Sequence, residues 1–350
     1  MNAKRQLPWV LVLLVTLVLA LVAASCGGDD EGEAGGEATG ATETGDGATG
    51  EGMQIGLVTD IGGLNDRGFN SLANQGLEQA QEQLGVDGRV LESKSDADYI
   101  PNLSELGDEG FNLIISVGFL MTEATAEAAP AYPDASFAIV DSAFDPPLDN
   151  AQGLLFKEQE TGCLVGVVGA LTSESGQITW VGGQKIPPVD RFIAGYEFCA
   201  KEARPDVQVS GAYSQDFVDQ AKCKEIALDQ IADGSDVVFQ VAGGCGLGAL
   251  DAAQEQSVWG IGVDADQAFL GDHILTSALK RVDVAVFKTI ESVANGTFEG
   301  GAVTTFGLAE DGVGLGEVSP EVSQETLDTV ADFEERIKSG ELTVPDKLGS

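Results

Sequence analysis

Histidine is nearly absent from this 350-residue chain, which has only His273. No Cys-x-x-Cys pair occurs either, so the residues offer no ligand set for zinc, and no metal or other cofactor is expected. There is no Gly-x-Ser-x-Gly elbow, and one imidazole leaves little room for a Ser–His–acid triad. An enzyme is therefore not expected. Positive charge is scarce as well: 18 Lys and Arg stand against 57 Asp and Glu, a formal net charge of −39. Most of that surplus serves a solvated surface. Its long-range field opposes nucleic acid and polyphosphates and favours a neutral or cationic small solute. Apolar side chains are missing altogether from residues 27–52, which contain only Gly, Ala, Thr, Asp and Glu. A segment with no apolar surface to bury stays unfolded and acts as a tether.

Before that tether, Lys4 and Arg5 precede an apolar run, 7–24, that ends in Ala23-Ala24-Ser25-Cys26. A basic start, an apolar stretch and small residues before a cut describe an export signal. The cysteine directly after them makes residues 1–25 a lipoprotein signal peptide and Cys26 the lipid-bearing anchor, although Ala23 stands where such signals usually carry Leu. The other reading is a retained transmembrane helix, for which the run is just long enough. Both place the rest of the chain outside the cytoplasm, at the outer face of the cell membrane. Four further cysteines follow, Cys163, Cys199, Cys223 and Cys245. In an exported protein they are expected to form structural bridges, with three pairings open.

From Met53 onward, short apolar runs alternate with amphipathic helical stretches, the grammar of βαβ units on a parallel sheet. About 300 residues suffice for two α/β lobes. Strands are expected at 55–58, 90–91, 113–117 and 137–140, with helices between them. A second series has strands at 178–181, 207–213, 237–241 and 258–263, again separated by helices. A tail adds a helix at 284–293, a strand-like 303–308 and a helix at 324–339.

Ligands of open α/β sheets lie outside the carboxyl ends of the strands. Polar or aromatic groups recur at just those places: Asp60 to Phe69, Gly118-Phe119, Asp141, Gln215-Asp216-Phe217, Gly243-Gly244 and Asp264 with Asp266. A cleft between two lobes requires such repetition, although Asp also caps helices for purely structural reasons. The run Gly244-Cys245-Gly246-Leu247-Gly248 imitates a dinucleotide fingerprint, but its third glycine comes too soon.

The opening segment QIGLVTDIGGLNDRGFNSLANQ (54–75) resembles the first motif of the basic membrane protein family, substrate-binding lipoproteins of ABC transporters that typically capture purine nucleosides. The resemblance continues through Phe156-Lys157-Glu158-Gln159-Glu160, Val181-Gly182-Gly183, Phe192-Ile193-Ala194-Gly195-Tyr196, the 242–248 run, Gly262-Val263-Asp264-Ala265-Asp266-Gln267 and 275–283. It departs from the family at Cys245, where a small hydroxyl residue is usual, and at Cys223, where Gly is common.

The resemblance implies a type I periplasmic-binding-protein fold, two Rossmann-like lobes joined by a three-crossing hinge. Lobe 1 would comprise 53–157 and about 264–300, and lobe 2 would comprise 158–263 and about 301–345. It also implies a monomer that captures a nucleoside and docks on a permease in the same membrane. Phe69 and Phe217 would sandwich the base, and Asp60, Asn65, Asp66 and Asn70 would meet its polar edge or organise the loop. Asp264 and Lys280 would bind the ribose, with Asp141 a further candidate, while Gly118, Gly243 and Gly244 would let backbone approach. Three structural alternatives remain at this point: Lys280 paired with Asp283 on the surface, Asp266 in place of Asp264, and Phe217 in the core. At the level of function, the alternatives are a sugar or other small polar solute as ligand, or a tethered sensor without transport.

Overall fold

The computed structural model describes residues 49–349; the segment expected to be an export signal, Cys26 and most of the expected tether lie outside them. The described chain begins with β1 (Gln54–Thr59), α1 (Phe69–Leu84), β2 (Asp87–Leu91), α2 (Tyr99–Asp108), β3 (Leu113–Val117), α3 (Thr122–Ala128), β4 (Ser136–Val140) and β5 (Ala151–Phe156). Then come α4 (Glu158–Thr172), β6 (Gln177–Gly182), α5 (Pro187–Ala203), β7 (Gln208–Tyr213), α6 (Gln220–Ala232), β8 (Val237–Val241), α7 (Gly243–Glu255), β9 (Trp259–Asp264) and β10 (Ile274–Lys280). The last elements are α8 (Val282–Ala294), β11 (Val303–Phe306), β12 (Val313–Leu315) and α9 (Gln324–Lys338).

The two α/β series form two six-stranded sheets, β11-β5-β4-β3-β1-β2 and β12-β10-β9-β8-β6-β7. All pairings are parallel except β10 with β12. Central strands are apolar on both faces because helices cover both: every residue of β3 and of β8 is buried. In each sheet the strand order reverses beside the first strand of its series, at β1/β3 and at β6/β8, which opens a crevice at the carboxyl ends.

Some elements differ from expectation. Strands β5 and β10 were not read, because Gln152 and Gly153 interrupt the first and Thr276 and Ser277 the second; both hydroxyl residues of β10 are fully buried. Helix α5 starts at Pro187, ahead of the Phe192-Ile193-Ala194-Gly195-Tyr196 motif, since prolines in a first turn give up no hydrogen bond. The Gly243-Gly244 pair, read as a turn, forms the first turn of α7. Gly50, assigned to the tether, is buried and donates to Leu84 O at 2.6 Å, so ordered chain begins before Met53. Because β10 lies beside β9 and β11 beside β5, the chain changes sheets after Phe156, after Lys280 and after Phe306. The second and third changes thus come later than the lobe limits 264–300 anticipated.

The cysteines pair as Cys163–Cys199 and Cys223–Cys245, joining α4 to α5 and α6 to α7. Helices α4 and α5 pack with almost no space between backbones: a Cβ on Gly195 would run into Gln159 O, and one on Gly162 into Phe192 O. Gly195→Ala should therefore lower unfolding free energy by about 1–3 kcal/mol through overpacking. Urea titration would show this as a lower midpoint, and an unchanged midpoint would mean that the helices part without loss.

Candidate ligand-binding site

The carboxyl ends of the two sheets bound one cavity of about 580 Å³ of empty space, partly open to solvent. The first sheet supplies Asp60 after β1, Gly118 after β3 and Asp141 after β4; the second supplies Gly243 after β8, Asp264 at the end of β9 and Lys280 at the end of β10.

On the first side, Asp66 is a structural cap. Its Oδ1 accepts from the Gly68 and Ser71 amides at 3.1 Å each, and its Oδ2 from the Asn70 amide at 2.7 Å. These are amides of the first turn of α1, which have no partner within the helix. The capped turn presents Phe69 to the cavity and aims Asn70 inward. Asn70 Nδ2 donates to Asp60 Oδ1 at 2.8 Å, while its buried Oδ1 has no partner among the described residues. Gly118 has φ +116, and a Cβ there would lie 3.0 Å from Asp60 Oδ2 and 3.3 Å from the Phe69 ring. Only glycine leaves both groups facing the cavity.

On the second side, Phe217 sits in the β7–α6 turn with its ring against Gly183, where any Cβ would collide with it. Gly243 and Gly244 lie beside Phe217 at the amino end of α7, so that backbone amides face the cavity. Asp264 is 8% exposed, holds φ +63, and receives no hydrogen bond from any described residue. Asp141, Arg67 and Gln215 also have positive φ, so four of the six described non-glycine residues in that region belong to the cavity or its bordering turns. Such strain concentrates where groups must be aimed.

Lys280 joins the two sides. It is 1% exposed, and its Nζ lies 2.7 Å from Asp141 Oδ2 and 2.9 Å from Glu158 Oε1. Arg191 on α5 donates to the other Glu158 oxygen at 2.5 Å. The ammonium also sits over the rings of Phe69 and Phe156, 5.0 Å from each centroid, and of Phe192 at 5.8 Å. Burial pulls its pKa down, but Asp141, Glu158 and Asp264 together raise it above the usual lysine value. Lysine 280 is therefore charged and internal, and the partner of Asp283 is Arg281.

Eleven of the twelve residues expected at the site line the cavity: Asp60, Asp66, Phe69, Asn70, Gly118, Asp141, Phe217, Gly243, Gly244, Asp264 and Lys280. The twelfth, Asn65, is exposed and borders a separate outer groove. Asp266 is exposed too and accepts from the Ala268 and Glu317 amides, which leaves Asp264 as the carboxylate of that turn in the cavity. Sequence reasoning missed the apolar wall of Ile186, Pro188, Val189 and Phe192, which a core helix face imitates. It also missed Gln267, whose Nε2 reaches Arg67 O at 3.3 Å and ties the β9–β10 turn to the loop before α1.

Burial raises Asp60 to about 6 and Asp264 to about 7, the latter opposed by Lys280. Between its unfolded value near 4 and its folded value, each group holds a proton in the folded chain that the unfolded chain has lost. Stability without ligand therefore falls as pH rises through about 4 to 7 and stays low above. At about 1.4 kcal/mol per unit, Asp264 accounts for up to about 4 kcal/mol, less whatever hydration an opened cavity restores. In Asp264→Asn that part of the pH dependence should vanish, leaving the ligand-free variant more stable than wild type at pH 8 and no more stable at pH 4. Urea unfolding at both pH values reads this directly, and equal stabilities at pH 8 would contradict it.

Residues 53–347 match the family described as ABC transporter substrate-binding protein PnrA-like. A Listeria monocytogenes protein named CD4+ T-cell-stimulating antigen is 35% identical over 315 residues, 84% of this chain and 88% of its own length. The ABC transporter nucleoside-binding protein BmpA of Lactococcus lactis is 33% identical over 317 residues, 84% of this chain and 90% of its own. Among solved structures, an ABC transporter solute-binding protein from Aeropyrum pernix superposes with a TM-score of 0.78 at 30% identity, covering 85% of this chain and 94% of that one. The fold is that of type I periplasmic binding proteins, and the chain belongs to the family of PnrA-like ABC transporter substrate-binding proteins, the basic membrane protein family whose motifs it carries.

Proposed function

We propose that the protein is the extracytoplasmic, Cys26-anchored receptor of an ABC importer, and that it captures a purine nucleoside and passes it unchanged to a permease in the same membrane. The observation that carries this reading is a cavity in which two buried acceptors have no donor among the described residues. Asp264 and Asn70 Oδ1 lack hydrogen bonds, while Phe69 and Phe217 supply aromatic faces from different sheets. A nucleoside answers each group. Its hydroxyls and ring N–H groups donate to the acceptors, and its flat base takes the rings.

Lys280 gives two of its three protons to Asp141 and Glu158, which leaves one donor for a ribose oxygen. Phosphate is disfavoured, because Asp60, Asp141 and Asp264 surround the single lysine of the cavity. Closure of the lobes follows from the same chemistry: it buries carboxylates, and ligand donors compensate that burial. The nucleoside-binding relative from Lactococcus lactis supports the choice of ligand.

The test is isothermal titration of the full chain in mild detergent with adenosine, guanosine, inosine, their monophosphates and a set of sugars. Nucleosides should bind without turnover, and the monophosphates should not. Phe69→Ala and Phe217→Ala should each weaken binding about 5- to 150-fold, the equivalent of about 1–3 kcal/mol of stacking. Asp264→Ala should weaken it by about tenfold or more, for loss of a hydrogen bond to a charged group. A response to sugars alone would remove the stacking role of the two rings.

A further inference from the structure

The wall of the cavity that carries Phe217 rests on a thin part of the fold. Helix α6 buries only Cys223 and Ala227 of its thirteen residues, and Ile226, Leu228 and Ile231 are partly covered. By contrast, α4 buries residues along nearly its whole length. Helix α6 starts three residues after Phe217, and α7 starts with the cavity glycines Gly243 and Gly244. The bridge between Cys223 and Cys245 therefore ties the first turn of α6 to the first turn of α7, with Cα atoms 5.6 Å apart and both residues fully buried.

The start of the 214–219 turn is tied to the end of β6, where the Ser214 and Gln215 amides donate to Gly182 O at 2.8 Å and Gly183 O at 3.1 Å, and the remaining bonds lie largely within the turn. Asp216 Oδ1 accepts from the Val218 and Asp219 amides at 2.8 and 3.0 Å, and Ser214 Oγ donates to Asp216 O at 2.8 Å. These set the shape of the turn; its place on α7 is set in part by the backbone of Gln220, which abuts Gly248 so closely that a Cβ there would run into Gln220 O. That place depends also on the Cys245 amide, which donates to Phe217 O at 2.9 Å, and on the adjoining bridge. Lys224 with Asp251 and Glu255 also links the two helices, but as solvated ion pairs worth little.

We propose that the Cys223–Cys245 disulfide is a positioning element of the ligand site, holding Phe217 and the Gly243-Gly244 amides in register so that capture of the base depends on the bridge being formed. This rests on the nucleoside reading above. The Cys163–Cys199 bridge serves as an internal contrast. It joins α4 and α5, whose backbones touch at Gly162, Gly166 and Gly195 along their length, whereas α6 and α7 touch at Gly248 alone, so the placement of α4 on α5 depends less on its bridge.

The experiment is titration of purine nucleosides into the full chain in detergent, comparing wild type, C223A/C245A, the volume-filling C223V/C245A, C163A/C199A, and the bridge variants combined with F217A. Circular dichroism first confirms a temperature at which each is folded. Loss of the 223–245 bridge should weaken binding about tenfold, within the range of a misplaced stacking ring. Loss of the other bridge should leave affinity within about twofold, because the backbone contacts at Gly162, Gly166 and Gly195 still hold the cavity-lining end of α5 on α4. In the F217A background, removing the 223–245 bridge should cost clearly less than in wild type, leaving only the part due to the Gly243-Gly244 amides, which a merely stabilising bridge would not produce.

Wild-type affinity in folded C223A/C245A, or full additivity with F217A, overturns the proposal. If wild type binds no nucleoside, the ligand reading fails while amide hydrogen exchange of residues 214–222 still decides the positioning role. Faster exchange there without the bridge supports it, and unchanged exchange overturns it. The same exchange measurement on wild type before and after reduction with TCEP covers the case in which neither bridge variant folds.

Discussion

A buried ammonium cannot stand alone in a protein interior, and the position of Lys280 commits both halves of the molecule. Its charge requires carboxylates within contact distance. One comes from the end of β4 in the first sheet and the other from the start of α4, directly after the first change of sheets. Lys280 itself ends β10, at the second change. The ion pairs therefore sit where the chain passes between lobes, and the three rings around the ammonium belong to α1, β5 and α5. Arg191 balances Glu158 from behind. Removing any one partner would leave an uncompensated buried charge.

The remaining carboxylates lack such balance. Asp60 has Asn70 and a backbone amide, and Asp264 has no donor at all. Both are raised by burial, so the arrangement that encloses them is unfavourable without something to donate to them. The instability is local to the cavity and belongs to its function: a binding protein that closed equally well without ligand would gain nothing from ligand in that equilibrium. Strained φ values at Asp141 and Asp264 point the same way, since both aim a carboxylate at one spot against backbone preference.

The apolar architecture supplies the rigidity against which this strain is held. Parallel strands covered on both faces make each sheet a stiff platform. Close backbone contact between α4 and α5 does the same for the second lobe. The turns that carry Phe69 and Phe217 are then fixed by particular bonds, the Asp66 cap in one and the Cys245 amide with its bridge in the other.

The alternation of apolar runs with helical stretches was enough to show two α/β series. The polar groups after Val58, Val140 and Val263 were legible as candidates because the carboxyl ends of parallel strands are where such sheets bind ligands. Phe69 and Phe217 were legible in the same way, and motif resemblance added their stacking role and Lys280. Strands β5 and β10 stayed hidden because buried Thr276 and Ser277, and Gln152 with Gly153, look like surface or turn residues until their partners are known. The choice of Asp264 over Asp266, the pairing of the four cysteines and the removal of Asn65 to an outer groove were likewise invisible. Each depends on which side chain meets which across sequence separations of up to about 200 residues, as when Gln267 reaches Arg67. Local pattern determined the elements, because hydrophobic periodicity is a property of neighbours in the chain. Only the tertiary structure decided which carboxylates share a cation and which face the cavity alone, because burial and distance are set by the packing of the whole.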